Sequence, residues 1–216
     1  MSDKVPTVST SGVTKGPDGI WRCTWGASTP EYQKYHDAEW GRPVGDEIRI
    51  LEKLCLEGFQ SGLSWLTILK KRDGFRAAFA SFDPEVVASY DDADVDRLVN
   101  DAAIVRHRGK ILATINNSRA LLELHDDGLS LAGLMWEHEP HKTKKLRSTT
   151  EIQAQTPESK ALSAALTKRG FRFVGPTTVY AAMQSLGVVN DHMSRCAFRS
   201  ACEEERNGFE RPSIEL

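Results

Sequence analysis

The sequence predicts an all-α protein, and three observations carry that expectation. Strict alternation of apolar and polar residues, the mark of a half-buried strand, is nearly absent. Apolar residues instead recur at helical spacing in one segment after another, and Ser or Asp stands before several of these segments, where a helix N-cap is needed. Internal repeats are absent, so roughly eight to ten helices of ordinary length should pack as one unit.

The elements follow in order. Residues 1 to 20 are rich in Ser, Thr, Gly and Pro and read as a flexible leader. Asp46 can cap a helix in which Ile48, Leu51, Leu54, Cys55 and Phe59 share a face, ending between Gly58 and Gly62. Ser64 caps the next, WLTILKKRDGFRAAFA. Asp83-Pro84 opens a short helix and Asp92 another, and RHRGKILATINNSRALLEL reads as a long amphipathic one. Leu162, Ala165 and Leu166 mark a helix stopped by Gly170, and TTVYAAMQSLG one stopped by Gly187. From residue 200 to 216 the chain reads as a loose tail.

At 216 residues, 40% hydrophobic and 27% charged, the chain suits one domain, or two small lobes around one core. A net charge of -2 excludes a polycation that coats nucleic acid, so any anion-binding surface must be local. No apolar run is long enough for a membrane span, and the first residues lack the apolar core of a secretory signal, so the expected location is the cytoplasm. Four cysteines, at 23, 55, 196 and 202, are too sparse for a disulfide scaffold and favour thiol or metal chemistry.

Three constellations carry chemistry. In VVNDHMSRC, His192 and Cys196 stand four apart, a spacing that puts both on one face of a helix. Far upstream, Cys23 and His36 form C-x12-H. Together these four would close a tetrahedral metal site with no open position, which is structural rather than catalytic. Spacing alone equally allows buried thiols and ordinary histidines.

Aromatic residues are the second. Four of the five tryptophans, Trp21, Trp25, Trp40 and Trp65, fall in the first third of the chain with Tyr32 and Tyr35. Glu57, in LEGFQSGLSW, falls in the same region of the sequence. A carboxylate amid aromatics suits a flat, electron-poor ring with exocyclic amino groups. A solvated helix residue is the other reading of a single Glu. Third, TKRGFRFVGPTTVYAAMQ runs from a Gly-stopped helix through a short turn into a new helix N-terminus, whose free N–H groups suit phosphate. Lys168, Arg169 and Arg172 flank it, and RHRGK (106 to 110) and HKTKKLR (141 to 147) are further basic clusters, each of which alone fits a solvated face.

Taken together, RCTWG, YHDAEWG, LEGFQSGLSW, DAAIVRHRGKI, LTKRGFRFVGPTTVYAAMQ and VVNDH resemble the bacterial DNA-3-methyladenine glycosylase I family of the helix-hairpin-helix superfamily. The resemblance runs from Trp21 to Cys196 and implies structural zinc on Cys23, His36, His192 and Cys196. It implies a base pocket of Trp25, Tyr35, Trp40, Glu57 and Trp65, with Glu57 and Tyr35 at the chemistry. Gly62-Leu63 would be the wedge into the duplex, and Phe173, Val174, Gly175, Pro176, Thr177 and Thr178, with Lys168 and Arg169, the phosphate hairpin. Phe59 departs from the family pattern, standing where a polar residue of the pocket rim is expected.

The catalytic Asp of the wider superfamily falls on Asn190, and no Lys lies between Thr177 and His192, so a Schiff-base lyase step is not expected. The implied protein is a monomeric, monofunctional glycosylase acting on alkylated double-stranded DNA with 3-methyladenine as product, its domain spanning residues 21 to 199 as two lobes around the pocket. The alternative is a zinc-stabilised DNA-binding module without catalysis.

Overall fold

A computed structural model describes residues 11–142 and 144–216 of the chain. Residues 1 to 10 of the expected leader lie outside the described residues, and the remainder of it is not loose. It forms an antiparallel hairpin of β1 (Val13–Lys15) and β2 (Trp21–Cys23), with Val13 opposite Cys23 and Lys15 opposite Trp21. The cause is polar: the Arg22 guanidinium, buried, donates to the Asp18 carboxylate at 2.9 and 2.7 Å and to Asp37 at 2.9 Å, tying the hairpin to the helix that follows.

The rest is helical. Thr29 caps α1 (Pro30–Ala38), Asp46 caps α2 (Glu47–Gln60) through the Arg49 N–H, and Ser64 caps α3 (Trp65–Ala78) through the Thr67 N–H. A tight left-handed turn at Ala80, Ser81 and Phe82 leads into α4 (Pro84–Ala88), capped by Asp83 as expected. Asp91, one residue earlier than expected, caps α5 (Asp92–Asn100) in a capping box with Asp94. Then come α6 (Arg108–Asp126), α7 (Leu131–Glu137), α8 (Pro157–Lys168), α9 (Pro176–Ser185) and α10 (Arg199–Gly208).

Helix α2 is the axle. Every residue from Ile50 to Phe59 is buried, because α3, α6, α7 and α9 all pack on it. The charged residues in that run are buried with partners, Glu52 with Arg76 and Lys53 with Glu57. Leu51, Leu54 and Phe59 are each at most 1% exposed, so truncating any of them to Ala should cost about 2–5 kcal/mol. Phe59 is therefore no part of the pocket rim: its ring lies 4.6 Å from that of Phe75 in the main core. A smaller core of Val13, Cys23, Leu146, Met193 and Cys196 joins both ends of the chain.

The residues expected to be a loose tail instead form α10 and a return strap. Arg206, 4% exposed, donates from Nε to the Gly187 carbonyl at 2.6 Å and from Nη2 to Glu139 at 2.6 Å and to the Val188 carbonyl at 3.0 Å. Farther on, the Ile214 carbonyl accepts the Ser130 N–H at 2.8 Å. RSACEEERNG has only Ala201 and Cys202 as apolar residues to reveal this, since the buried Arg199 and Arg206 hold the helix in place.

Candidate functional site

A cleft of ≈ 620 Å³ opens between β2, α1, the α2 C-terminus, the α3 N-terminus and the loop before α8, walled by Trp25, Tyr32, Tyr35, Trp40, Glu57 and Trp65. The aromatic residues support one another before any ligand arrives. Trp25 meets Trp40 edge to face at 5.1 Å and Tyr32 at 5.5 Å, and Tyr35 lies tilted 5.6 Å from Trp65. The Tyr32 hydroxyl accepts the Leu66 N–H at 2.9 Å, fixing α1 against the start of α3. All five residues expected to form a base pocket are thus brought together, and Tyr32 joins them.

Glu57 is not a solvated helix residue: it is 6% exposed and lines the cleft. One turn back on α2, the Lys53 ammonium lies 3.1 Å from its Oε1, donates to the Tyr35 hydroxyl at 2.5 Å and sits 3.6 Å from the centre of a Trp65 ring. Burial pushes the Glu57 carboxyl above its usual range and Lys53 pulls it back. Sequence reading passed over Lys53, although its spacing of four from Glu57 inside an apolar helix was a usable signal.

The Gly62-Leu63 corner lies between α2 and α3. Gly62 has φ +82, a left-handed position that favours glycine, and it turns Leu63 outward to 43% exposure. The corner is anchored by Lys110, whose ammonium donates to the Phe59 and Ser61 carbonyls at 2.8 and 2.6 Å. Lys110 is thus a buried cap of α2 and no part of a solvated basic face.

Between α8 and α9 the chain makes a tight turn ending at Gly175, which has no side chain to cap α9, followed by Pro176 at the first helical position. Thr177 and Thr178 therefore begin a helix whose first N–H groups face outward from an uncapped end. The turn is clamped by two asparagines that sequence reading missed. Asn117 donates to the Arg172 carbonyl and accepts the Arg172 N–H, and Asn116 donates to the Gly170 carbonyl. Phe173, left-handed at φ 55 and 43% exposed, lies against α2 at Gly58, while Lys168 and Arg172 are exposed and Arg169 is half-buried. Val174 is buried, so only its backbone is on offer.

Cys23, His36, His192 and Cys196 are all buried, with their donor atoms within 4.8 Å of one another. The spacing of His192 and Cys196 is met by a turn and not by the expected helix. Cys196 Sγ lies 3.4 Å from His192 Nδ1 and 3.5 Å from His36 Nε2, and Cys23 Sγ lies 3.8 Å from His192 Nδ1. Around a tetrahedral ion with bonds of 2.0–2.3 Å, neighbouring donors stand roughly 3.3–3.8 Å apart. Each imidazole also spends its other nitrogen correctly: His36 Nδ1 donates to Asp37 at 2.8 Å and His192 Nε2 to the Trp40 carbonyl at 3.1 Å, leaving both inward lone pairs free. Hydrogen bonds from Cys23, His192 and His36 pull the Cys196 thiol down toward the thiolate. The group could hold a metal, and its chemistry fits a soft, tetrahedral one.

Asn190 is fully buried and points away from catalysis, donating to the Arg199 carbonyl and to Glu203. Its neighbour Asp191 lines the cleft and accepts from the Tyr180 hydroxyl at 2.6 Å and the Gln184 amide at 2.7 Å.

Comparison with known proteins places these features. The family model described as methyladenine glycosylase matches residues 25–200. The chain is 49% identical over 177 residues to DNA-3-methyladenine glycosylase 1 of Escherichia coli (strain K12), covering 81% of this chain and 95% of that protein. It is 41% identical over 182 residues to DNA-3-methyladenine glycosylase of Haemophilus influenzae, covering 83% and 98%. Among solved structures, a crystal structure of 3-methyladenine DNA glycosylase I superposes with a TM-score of 0.79 at 46% identity, over 82% of this chain and 98% of that one. The Staphylococcus aureus enzyme, studied for its recognition of 3-methyladenine, superposes with a TM-score of 0.78 at 33% identity, over 82% and 96%. With its aromatic cleft, its buried glutamate and its matched span from residue 25 to residue 200, the chain belongs to the methyladenine glycosylase family.

Proposed function

We infer that the protein is a monofunctional DNA glycosylase of base excision repair, which hydrolyses the N-glycosidic bond of alkylated nucleotides, releases 3-methyladenine and leaves an abasic site. One observation carries the reading: a buried carboxylate, Glu57, set in an aromatic cleft whose size suits a flat base. N3-methylation makes the adenine cationic, so the base is already an activated leaving group and pairs weakly. Tyr35, Trp25, Trp40 and Trp65 offer π faces to that cation, and Glu57 accepts hydrogen bonds from its amino edge. Catalysis then needs only differential binding: the contacts tighten as the glycosidic bond lengthens and water enters. An unmethylated adenine keeps a strong bond and survives a visit to the cleft.

The DNA would be held by the α8–α9 unit acting as a helix-hairpin-helix, with phosphate at the N–H groups of Thr177 and Thr178, the backbone of Phe173 to Pro176 alongside, and Lys168 and Arg169 adding charge. Base flipping would leave a gap for Leu63 to fill from the Gly62 corner. The metal would be zinc, held by Cys23, His36, His192 and Cys196. Four protein donors leave no place for water, so it supplies cross-linking and no chemistry. Residues 21 to 199 would form the glycosylase domain, acting as a monomer on double-stranded DNA in the cytoplasm. No helix among the described residues is long and apolar enough to cross a membrane.

The deciding experiment is incubation of methylated duplex DNA with the protein, followed by chromatographic identification of the released base. Free 3-methyladenine with an intact but abasic strand supports the reading. Tight DNA binding without base release would favour a DNA-binding module instead, and strand cleavage would refute the absence of a lyase step.

A further inference from the structure

Behind the cleft wall, at the edge of a separate small cavity, lies a cation that the proposed chemistry has not used. Lys53 is enclosed by Tyr35, Glu57 and Trp65 at the distances given above, and burial alone would push its ammonium toward the neutral amine. A lysine is placed there, on the main core helix, only if its charge is matched. We propose that Lys53 is a positioning residue of the base pocket: its ammonium holds Glu57 as an ionised, acceptor-only carboxylate and sets its orientation toward the cleft.

The surrounding charges support this assignment. From α1 and its C-terminus, Tyr32, Tyr35 and Glu39 face the pair, and from α3, Arg72. Glu39 and Arg72 are already joined by two hydrogen bonds at 2.5 and 2.9 Å and so neutralise each other. The two phenols are neutral at physiological pH. Asp191 lines the same cleft, where it is engaged by Tyr180 and Gln184. On the far side of Lys53 stand Arg49 and the Glu52–Arg76 pair, and among the described residues Lys53 is the cation that contacts Glu57 itself. A protonated Glu57 would present a donor where the amino edge of the base needs an acceptor. The ammonium also donates to Tyr35, so a single group fixes the acceptor and one aromatic wall together.

The proposal rests on Glu57 being the base acceptor, and the test separates the two claims. Single-turnover release of 3-methyladenine from methylated duplex is followed against pH for the wild-type protein, Lys53→Met, Lys53→Arg and Glu57→Gln. Lys53→Met keeps an unbranched stem and removes the charge. Its acid limb should move up by about one pH unit or more, roughly a tenfold loss on the acid side that recovers as pH rises, with DNA affinity unchanged. Lys53→Arg should return the limb toward the wild-type position.

An acid limb in Lys53→Met that coincides with the wild type overturns the proposal. If Glu57→Gln is slow in that case, the base-pocket reading stands and Lys53 alone has failed. If Glu57→Gln is as fast as the wild type, the acceptor role itself falls and the role of Lys53 falls with it. Should Lys53→Met not fold, nitrogen NMR of the wild-type Lys53 side chain decides: an ammonium near pH 7 is expected, and a neutral amine there overturns the assignment.

Discussion

Replacing Cys196 by Ala removes one of four donors from a group that joins residue 23 to residue 192, 169 positions apart. With zinc held there as proposed, the three that remain would bind it far more weakly. A metal held at a thousand times its dissociation constant adds about 4 kcal/mol to the folded state, against roughly 10–16 kcal/mol of total binding in small zinc domains. For a chain of 216 residues, each kcal/mol moves the melting temperature by about 2–4 °C, so the variant should melt roughly 8–16 °C lower.

The loss should also be local. The main core around α2 contains none of the four donors, whereas Cys23 and Cys196 belong to the small core with Val13, Leu146 and Met193. Metal analysis, a thermal melt by circular dichroism and amide hydrogen exchange test this together. The variant should carry little zinc, melt early and lose protection first in the β1–β2 hairpin. About one zinc per chain retained in Cys196→Ala, or zinc lost with an unchanged melt, would refute the reasoning.

Glu57→Gln weakens a charge-assisted hydrogen bond of about 1.5–3 kcal/mol, so single-turnover excision should fall about ten- to a hundredfold while zinc content and DNA binding persist; an unchanged rate removes Glu57 from the chemistry. Leu63→Ala should slow excision from duplex more than from single strands, since only the duplex leaves a gap to fill; equal losses would make Leu63 ordinary surface. A Cβ on Gly175 meets no atom within 4 Å, so a bulky residue there should leave stability alone and weaken binding to all DNA sequences alike, measured by anisotropy at several salt concentrations. Affinity indifferent to salt would rule out a phosphate anchor.

Glu47 gives a pH dependence. Burial opposes its ionisation, but the Ala132 N–H, the Ser130 hydroxyl and His125 together hold its carboxyl below the usual 4.5. A depressed acid stabilises the fold fully above its unfolded value and loses that contribution as pH falls through its folded value. The urea-midpoint difference between wild type and Glu47→Gln should therefore shrink as pH falls from about 6 to about 3. A constant difference would show that Glu47 acts by packing alone.

Local rules made part of the fold legible. Asp46, Ser64 and Asp83 could be read as caps because capping depends on one side chain and the next few residues. The donor set was also legible, since metal chemistry restricts residue types severely. What stayed hidden depends on partners distant in sequence. Arg206 anchors α10 through carbonyls that no periodicity predicts, and Arg22 makes a strand pair out of what reads as a Ser-, Thr- and Gly-rich leader. His192 and Cys196 show the converse: their spacing of four is compatible with a helix, but a turn delivers the same proximity. Phe59 occupies a position that the family pattern assigns to the pocket rim, but a one-dimensional pattern does not say which way the side chain turns, and it is directed into the core.

With the proposed ion bound, the four donors would also impose an order of events during synthesis. Cys23 and His36 emerge from the ribosome early, but their inward-facing atoms have no partners until His192 and Cys196 follow, some 160 positions later. The turn carrying those late donors is itself secured by Arg199, which donates to the Asn190 carbonyl at 2.9 Å and to the His192 carbonyl at 2.5 Å. A nascent chain stopped short of residue 192 can offer a metal only half a coordination shell, so translation must pass that point before the ion is captured firmly. The β1–β2 hairpin and the Trp25 side of the cleft would therefore settle last, although they are made first, and metal supply would govern the final folding step of the newborn enzyme.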